Sequence, residues 1–173
     1  MTEGMSPQAV AQERADVLRE RLKERIYASL TLLAVLVGFA QSGHPAHVAA
    51  AVSVAVTALG LWLATLVADL QAVPVAHGRW PNRHEIRHTL FTTSPLLTSA
   101  VSPLLLIGLS ALGAAELTTA LWISVGTEVA ALAAWGFAGG RRVGAGPLGA
   151  LVAAALNSVI GIGVVAVKLL AGH

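Results

Sequence analysis

The chain alternates between long apolar runs and short polar connections. A helix that crosses a bilayer needs about 20 mostly apolar residues, and five runs approach or exceed that length. They cover residues 26–41, 47–71, 90–112, 115–137 and 147–170. The pattern predicts an all-α polytopic membrane protein with five transmembrane helices and no separate soluble domain.

The first 25 residues have a different pattern. Ser6 is suited to cap a helix and Pro7 to occupy its first position. Apolar residues then recur at helical spacing, at Ala11, Ala15, Leu18 and Leu22. The other face is densely charged with both signs, which is typical of an amphipathic helix on a membrane surface or against a protein partner. We expect residues 1–25 to form this cytoplasmic helix, to continue into the first span, and to precede a transmembrane bundle of residues 26–173.

Composition agrees with the apolar pattern. The 173 residues are 55% hydrophobic and 12% charged, whereas soluble domains contain roughly 25% charged residues. The chain has no cysteine, which excludes disulfides, Cys-ligated zinc and iron–sulfur clusters.

The lysines and arginines predict the orientation of the chain. If it crosses five times, ten of the eleven fall on one side: Arg14, Arg19, Arg21, Lys23, Arg25, Arg79, Arg83, Arg87, Arg141 and Arg142. The connections on the other side, "QSGHPAH" and "GAAE", contain none. The positive-inside rule then places the N-terminus in the cytoplasm and the C-terminus outside. We therefore expect a multi-pass protein of the bacterial cytoplasmic membrane, with no nucleic-acid partner despite the basic charge.

Two acidic residues lie within predicted spans. Glu128 is near the middle of the fourth, and Asp69 is near the cytoplasmic end of the second, one turn after Thr65. An ionisable side chain in the bilayer costs about 2.5–3.5 kcal/mol and usually faces a cavity or a partner. Counted from the predicted cytoplasmic span ends, Glu128 and Asn157 both lie about 15 Å deep, so we expect them to meet. The pair is either a packing contact or a proton- or cation-binding site.

The third span, "TTSPLLTSAVSP" in part, is the most polar and contains Pro95 and Pro103. Each proline removes a backbone hydrogen bond and frees a carbonyl one turn earlier. Freed carbonyls in a membrane bond to neighbours or line a cavity. The pattern predicts a broken helix beside a water-accessible path, with Thr98 and Ser102 on the wall of that path.

The fifth run carries small or amide side chains every fourth residue, at Gly149, Ala153, Asn157 and Gly161. Helices in lipid approach closely through such stripes. We expect this stripe to face another helix.

The segment "PNRHEIRH" contains the order H-E-x-x-H at His84, Glu85 and His88. On a helix this order places two imidazoles one turn apart beside a carboxylate, as in many zinc peptidases. A catalytic zinc needs a third protein ligand. Glu116 is separated from the motif by a whole span and lies on the outer side, which excludes it.

Asp69 and His77 lie on the correct side of the membrane for such a metal. Binding of a divalent metal by His84, His88 and Asp69 is therefore a possible function of this segment, and no other cofactor is indicated. A membrane metallopeptidase is a remote alternative. In the simpler interpretation, the segment "PNRHEIRH" forms the first turn of the third span, is capped by Asn82 and lies near lipid headgroups. Enzymatic activity is not the expected function.

"ASLTLLAVLVGFAQSG" in the first span and "WGFAGGRRVGAGPLGALVAAALNSVIGIGVVAVKLL" over the last two resemble the vacuolar iron transporter family. The resemblance implies the five-span topology, a homodimer, and exchange of divalent cations or protons. The family's Asp-Gly pair in the first span is replaced here by "IYAS", and its long helices between spans two and three are absent, so no functional residue is carried over. The chain is also similar to short five-span bacterial membrane proteins, which imply no activity.

Two hypotheses about function follow. In the first, the protein binds or transports a small cation or proton through a polar site formed by Glu128, Asn157, Asp69, Thr65, Thr98 and Ser102. In the second, it is a non-transporting structural or accessory subunit, whose N-terminal helix recruits a protein partner. Both place the chain in a lipid bilayer as a homo-oligomer, with a dimer favoured.

Overall fold

The computed structural model describes residues 6–43, 46–144 and 146–171, which form helices and connecting turns without any strand. The helices are α1 (Pro7–Gln41), α2 (His47–His77), α3 (Arg83–Ser99), α4 (Val101–Ala111), α5 (Leu117–Arg142) and α6 (Gly146–Ala171). The predicted all-α class is confirmed.

Helix α1 is a single helix of 35 residues, so the predicted amphipathic segment does continue into the first apolar run. At about 1.5 Å per residue, α1 is longer than the hydrocarbon thickness of a bilayer, about 30 Å. Leu32, Leu33, Leu36 and Val37 are fully buried, and α1 packs against α2, α3, α5 and α6. The apolar half of α1 is therefore the centre of the core.

Among the described residues, four helices are long and apolar enough to cross a membrane: α2, α3 together with α4, α5, and α6. The apolar part of α1 begins only after Arg25, because the first half of this helix is charged. The apolar helices indicate a membrane protein, and four of the five predicted crossings are supported by the length and composition of their helices. A fifth crossing, by α1, stays a prediction.

The predicted irregularity in the third span is a local turn. A single residue, Ala100, separates α3 from α4, and its backbone angles of −74° and −14° remain in the helical region. Pro103 follows three residues later and has no N–H to donate. Pro95 frees the Phe91 carbonyl, which instead accepts a hydrogen bond of 2.8 Å from the Ser94 hydroxyl. The two prolines thus interrupt hydrogen bonding without dividing the span into two independent halves.

Helices α5 and α6 make the closest contact in the bundle. A Cβ atom built on Gly136 would lie 2.5 Å from the Ala153 carbonyl oxygen, and one on Gly140 would lie 2.6 Å from the Ala150 Cα. The Asn157 amide donates to the Leu132 carbonyl across the same contact, at 3.3 Å. The small stripe of α6 therefore faces α5, as the spacing of its small residues predicts.

The outer faces of α2 and α6 are apolar. Only 17% of the most apolar part of α2 and 11% of that of α6 are buried inside the chain. Valine, leucine and isoleucine side chains cover the rest, among them Val56, Leu63, Val159 and Val167. In water such faces would be costly, whereas a bilayer accommodates them.

Candidate functional site

Glu128 is a buried carboxylic acid in the centre of α5. Its side chain is 5% exposed and lies on the face of α5 that also buries Ser124 and Leu132. The polar groups that act on it belong to α1: the Ser29 hydroxyl and the positive charge of Arg25. Arg25 and Ser29 are four residues apart, which places both on the same face of α1. The candidate site is therefore formed between α1 and α5.

Asn157 lies at a different level of the bundle from Glu128. A Cβ on Gly136 would lie 2.8 Å from the Asn157 Nδ2 atom, so Asn157 is opposite Gly136, eight residues along α5 from Glu128, or about 12 Å. Its amide donates to a backbone carbonyl, that of Leu132. The structure therefore does not bring Glu128 and Asn157 into the contact that the sequence predicted.

The reason is the length of α5. The sequence pattern ends the fourth span at residue 137, but the helix continues to Arg142 before the turn into α6. The five additional residues shift which positions of α5 and α6 face each other across the hairpin. Two polar residues at equal distances from the predicted span ends are consequently at unequal depths.

A cavity of about 130 Å³, here called the arginine cleft, lies between α1, α3 and α5. Its lining includes Arg21, Arg25, Trp135 and Arg142. The Arg25 guanidinium carbon is 5.3 Å from the centroid of the Trp135 ring. Arg25 thus both lines this cavity and acts through its charge on the buried carboxyl group of Glu128.

A second, wider cleft of about 570 Å³ is acidic and lies between α1, α2 and α3. Its lining includes Asp16, Glu20, Asp69, His88 and Thr92. The charges of Glu20 and Lys23 act on Asp69, so the second predicted acidic residue faces the amphipathic part of α1. We call this opening the acidic cleft. Thr65 is one turn of α2 away from Asp69 and does not belong to the lining.

The hydroxyl groups predicted to border a path in the third span point elsewhere. Thr98 and Ser102 are exposed on the outside of the described bundle, and Thr98 donates to the Pro95 carbonyl at 3.2 Å. The buried hydroxyls of this helix are those of Thr92, Thr93 and Ser99. A helix turns 100° per residue, so the choice of face depends on how α3 packs.

The motif "HEIRH" forms the start of α3. Asn82 Oδ1 accepts a hydrogen bond of 2.8 Å from the Glu85 N–H, and the Glu85 carboxylate accepts one of 2.8 Å from the Asn82 N–H. This reciprocal arrangement is a capping box, which confirms Asn82 as the cap. Arg79 donates to both carboxylate oxygens of Glu85, at 2.9 and 2.6 Å. The carboxylate raises the pKa of Arg79 above its ordinary value.

The predicted metal ligands do not form one group. His88 and Asp69 line the acidic cleft, whereas His84 lies with Arg87 and Phe91 in a separate shallow cleft that His88 also borders. In the part of the chain that the structure describes, no three His, Asp or Glu side chains are placed to hold a metal ion. Glu85, the general base of the zinc-peptidase hypothesis, is instead occupied by the capping box and Arg79.

Comparisons of the chain with protein-family models, curated proteins and solved structures find no match. The resemblance to vacuolar iron transporters accordingly stays a prediction.

Sequence reasoning missed Arg25 and Ser29 as partners of Glu128. Arg25 directly precedes the first apolar run, and Ser29 lies near the start of that run. The positive-inside rule already accounts for a basic residue there, and helix packing accounts for a serine. The sequence did show that Arg25 and Ser29 are four residues apart in one continuous helix, which places both on the same face of α1. Spacing alone does not say which helix this face of α1 contacts.

Glu85→Gln is expected to lower the free energy of unfolding slightly, because the variant loses the charged part of a helix cap and its solvent-screened ion pair with Arg79. Chemical unfolding of the detergent-solubilised protein, followed by circular dichroism, measures the change. Glu116→Gln is the matched control, since Glu116 precedes α5 without a side-chain cap bond. Equal losses in both variants would contradict a capping role for Glu85.

Proposed function

We propose that this protein is a bacterial inner-membrane protein with five crossings that binds and moves a small cation or proton through the site at Glu128. Its N-terminus lies in the cytoplasm and its C-terminus outside. The observation that carries the proposal is the burial of the Glu128 carboxyl group in the bundle, where the Ser29 hydroxyl and the positive charge of Arg25 act on it from α1. Ionisable residues at such positions mark ion and proton pathways.

The proposed topology is supported by the positions of the basic residues. Arg21 and Arg25 of α1 line the same cleft as Arg142 at the end of α5. Arg21 also lies over the ring of Phe91 in the middle of α3, 4.1 Å from the ring centroid. Basic residues of α1 and of the end of α5, which are distant in the sequence, thus meet at one end of the bundle. A single cytoplasmic end is what the positive-inside rule requires, and this supports a proposed crossing by α1.

At the site, the Glu128 carboxylate supplies the negative charge and Ser29 a second oxygen ligand. Arg25 neutralises the carboxylate when no cation is bound. A cation or proton that arrives at Glu128 replaces that interaction, and the freed guanidinium remains against Trp135 in the arginine cleft. Competition between a fixed arginine and a mobile cation allows the cation to leave again, since tight binding alone would stop transport.

The acidic cleft has a different role in this proposal. Asp69 and the carboxylates of α1 create a negative potential at the cytoplasmic end, which raises the local concentration of cations. Asp69 collects cations there and is not the site of binding inside the bundle.

A second function is favoured by the hydrogen bonds of the buried hydroxyls. Thr93, Ser99 and Ser124 each donate to a carbonyl of their own helix, at 2.7 to 2.8 Å, and need no ligand. A structural or accessory subunit would use its polar groups in this way and would meet a second copy or another protein through α2 and α6. Under this alternative, no ion crosses the membrane through the protein.

Purified protein in liposomes distinguishes the two functions. We expect the wild type to dissipate a proton or Mn²⁺ gradient faster than protein-free liposomes do. Asp69→Asn is expected to slow uptake about threefold at low salt, and less at high salt, because it weakens long-range attraction.

Glu116→Gln is the control, since it removes an equal charge that lies outside the acidic cleft. If the wild type gives no flux of either ion, the structural alternative replaces the proposal. If Asp69→Asn has the same effect at every salt concentration, Asp69 does not act by attraction.

A further inference from the structure

The arginine cleft combines positive charge with apolar walls. Within the described residues, the ion pairs join Lys23 to Glu20 and Glu24, and Arg79 to Glu85. None includes Arg21, Arg25 or Arg142, the three arginines that line the cleft. Three guanidinium groups from two helices therefore line one cavity, and among the described residues none of them is in an ion pair, although the charge of Arg25 also acts on Glu128. An oxygen anion in the cleft would meet complementary charge and paired N–H donors.

Two of these arginines lie over aromatic rings, an arrangement that suits the binding of an oxygen anion. Arg21 lies over the Phe91 ring and Arg25 over the Trp135 ring. Stacking covers the face of a guanidinium and leaves its N–H groups free at the edge, where they donate in pairs to phosphate or carboxylate oxygens. The aromatic rings thus hold the donors in place before a ligand arrives.

The other walls of the cleft are apolar and include Leu18, Leu22 and Pro95. The volume of about 130 Å³ is about ten times what one water molecule needs, so it accommodates a phosphate group and the atoms attached to it. Trp135 belongs to the side chains that prefer the boundary between headgroups and hydrocarbon. A ligand with one anionic end and one apolar end matches both kinds of wall.

We propose that the arginine cleft binds the headgroup phosphate of an anionic phospholipid. The phosphate oxygens accept hydrogen bonds from Arg21, Arg25 and Arg142, and the glycerol and first acyl carbons lie against Leu22, Pro95 and Trp135. Basic pockets between transmembrane helices on the cytoplasmic side recognise lipid headgroups in this way. The proposal concerns a lipid and does not depend on whether Glu128 carries a cation.

Native mass spectrometry of the full chain in detergent tests this site directly. The protein is titrated with dioleoyl-phosphatidylglycerol and, in parallel, with dioleoyl-phosphatidylcholine, whose headgroup has no net charge. We expect at least about fivefold tighter binding of phosphatidylglycerol, and a loss of about fivefold in that affinity for Arg142→Gln. Arg21→Gln provides a second variant with the same expected loss.

Arg141→Gln is the matched control, because it removes the neighbouring charge at the same helix end without changing the lining of the cleft. We expect it to retain wild-type affinity within about twofold. Equal affinity for the two lipids would overturn the proposal, as would an equal loss in Arg141→Gln and Arg142→Gln.

Inorganic phosphate distinguishes a lipid from a free anion. The lipid assignment expects millimolar phosphate to leave most of the phosphatidylglycerol bound, because phosphate gains nothing from the apolar walls. Complete displacement by phosphate would assign the cleft to a soluble phosphate and overturn the assignment to lipid.

Discussion

Glu128→Gln is expected to abolish the ion flux of the reconstituted protein while leaving the bundle folded. Glutamine has the shape of glutamate and still bonds to the Ser29 hydroxyl, but it neither carries charge nor releases a proton. Loss of one charged hydrogen-bonding group costs a bound cation about 1.5–3 kcal/mol, which corresponds to a reduction in binding of about 10- to 150-fold. Flux of protons and of Mn²⁺ into proteoliposomes measures the change.

Two further variants make this test specific. Glu128→Asp keeps the charge but moves it by one methylene, so we expect partial flux. Glu116→Gln, at the start of α5, removes a carboxylate outside the core and should leave flux unchanged. Wild-type flux in Glu128→Gln, with equal amounts of folded protein in the liposomes, would remove Glu128 from the pathway.

Gly136→Ala is expected to destabilise the protein by about 1–3 kcal/mol, the usual cost of overpacking a tight contact. The new methyl group would meet the Ala153 carbonyl oxygen at 2.5 Å and the Asn157 Nδ2 at 2.8 Å. Backbone atoms cannot turn aside as a flexible side chain can, so α6 must move away from α5. The Asn157 to Leu132 hydrogen bond then lengthens, and unfolding in detergent shifts to lower temperature and lower denaturant concentration.

Gly139→Ala is the matched control in the same helix. A Cβ at Gly139 meets nothing within 4 Å, and alanine is a better helix former than glycine by about 1 kcal/mol. We therefore expect Gly139→Ala to be neutral or slightly stabilising. Similar losses in Gly136→Ala and Gly139→Ala would mean that helix flexibility, and not close approach to α6, is what the glycines provide.

Local signals in the sequence were sufficient for the helices and for one cap. Asn82 and Glu85 have the spacing of a capping box, and the structure places them in one. The small residues of α6 recur every fourth position and do face α5. These features depend only on a few neighbouring residues and on the helical repeat, and both can be read directly from the chain.

The partners of the polar residues needed the tertiary structure. Hydropathy identifies which segments suit a bilayer, but lipid tails are as apolar as leucine, so it does not determine the rotation of a helix about its axis. For this reason the exposed positions of Thr98 and Ser102, and the burial of Thr92 and Thr93 on the same helix, could not be predicted. The same uncertainty applied to the face of α1 that carries Arg25 and Ser29.

Depth was also decided by the fold. Glycine lacks a Cβ and tolerates the left-handed backbone of Gly144, whose φ is 77° and which lies after the end of α5 at Arg142. Because α5 continues to Arg142, Asn157 faces Gly136. The rotation of α5 about its axis directs Glu128 toward α1. The sequence by itself determined which residues form apolar helices and that a carboxyl group lies within one. Only the packing of α1, α5 and α6 decided what that carboxyl group meets, since contacts between helices depend on register and rotation, which hydrophobic patterning leaves free.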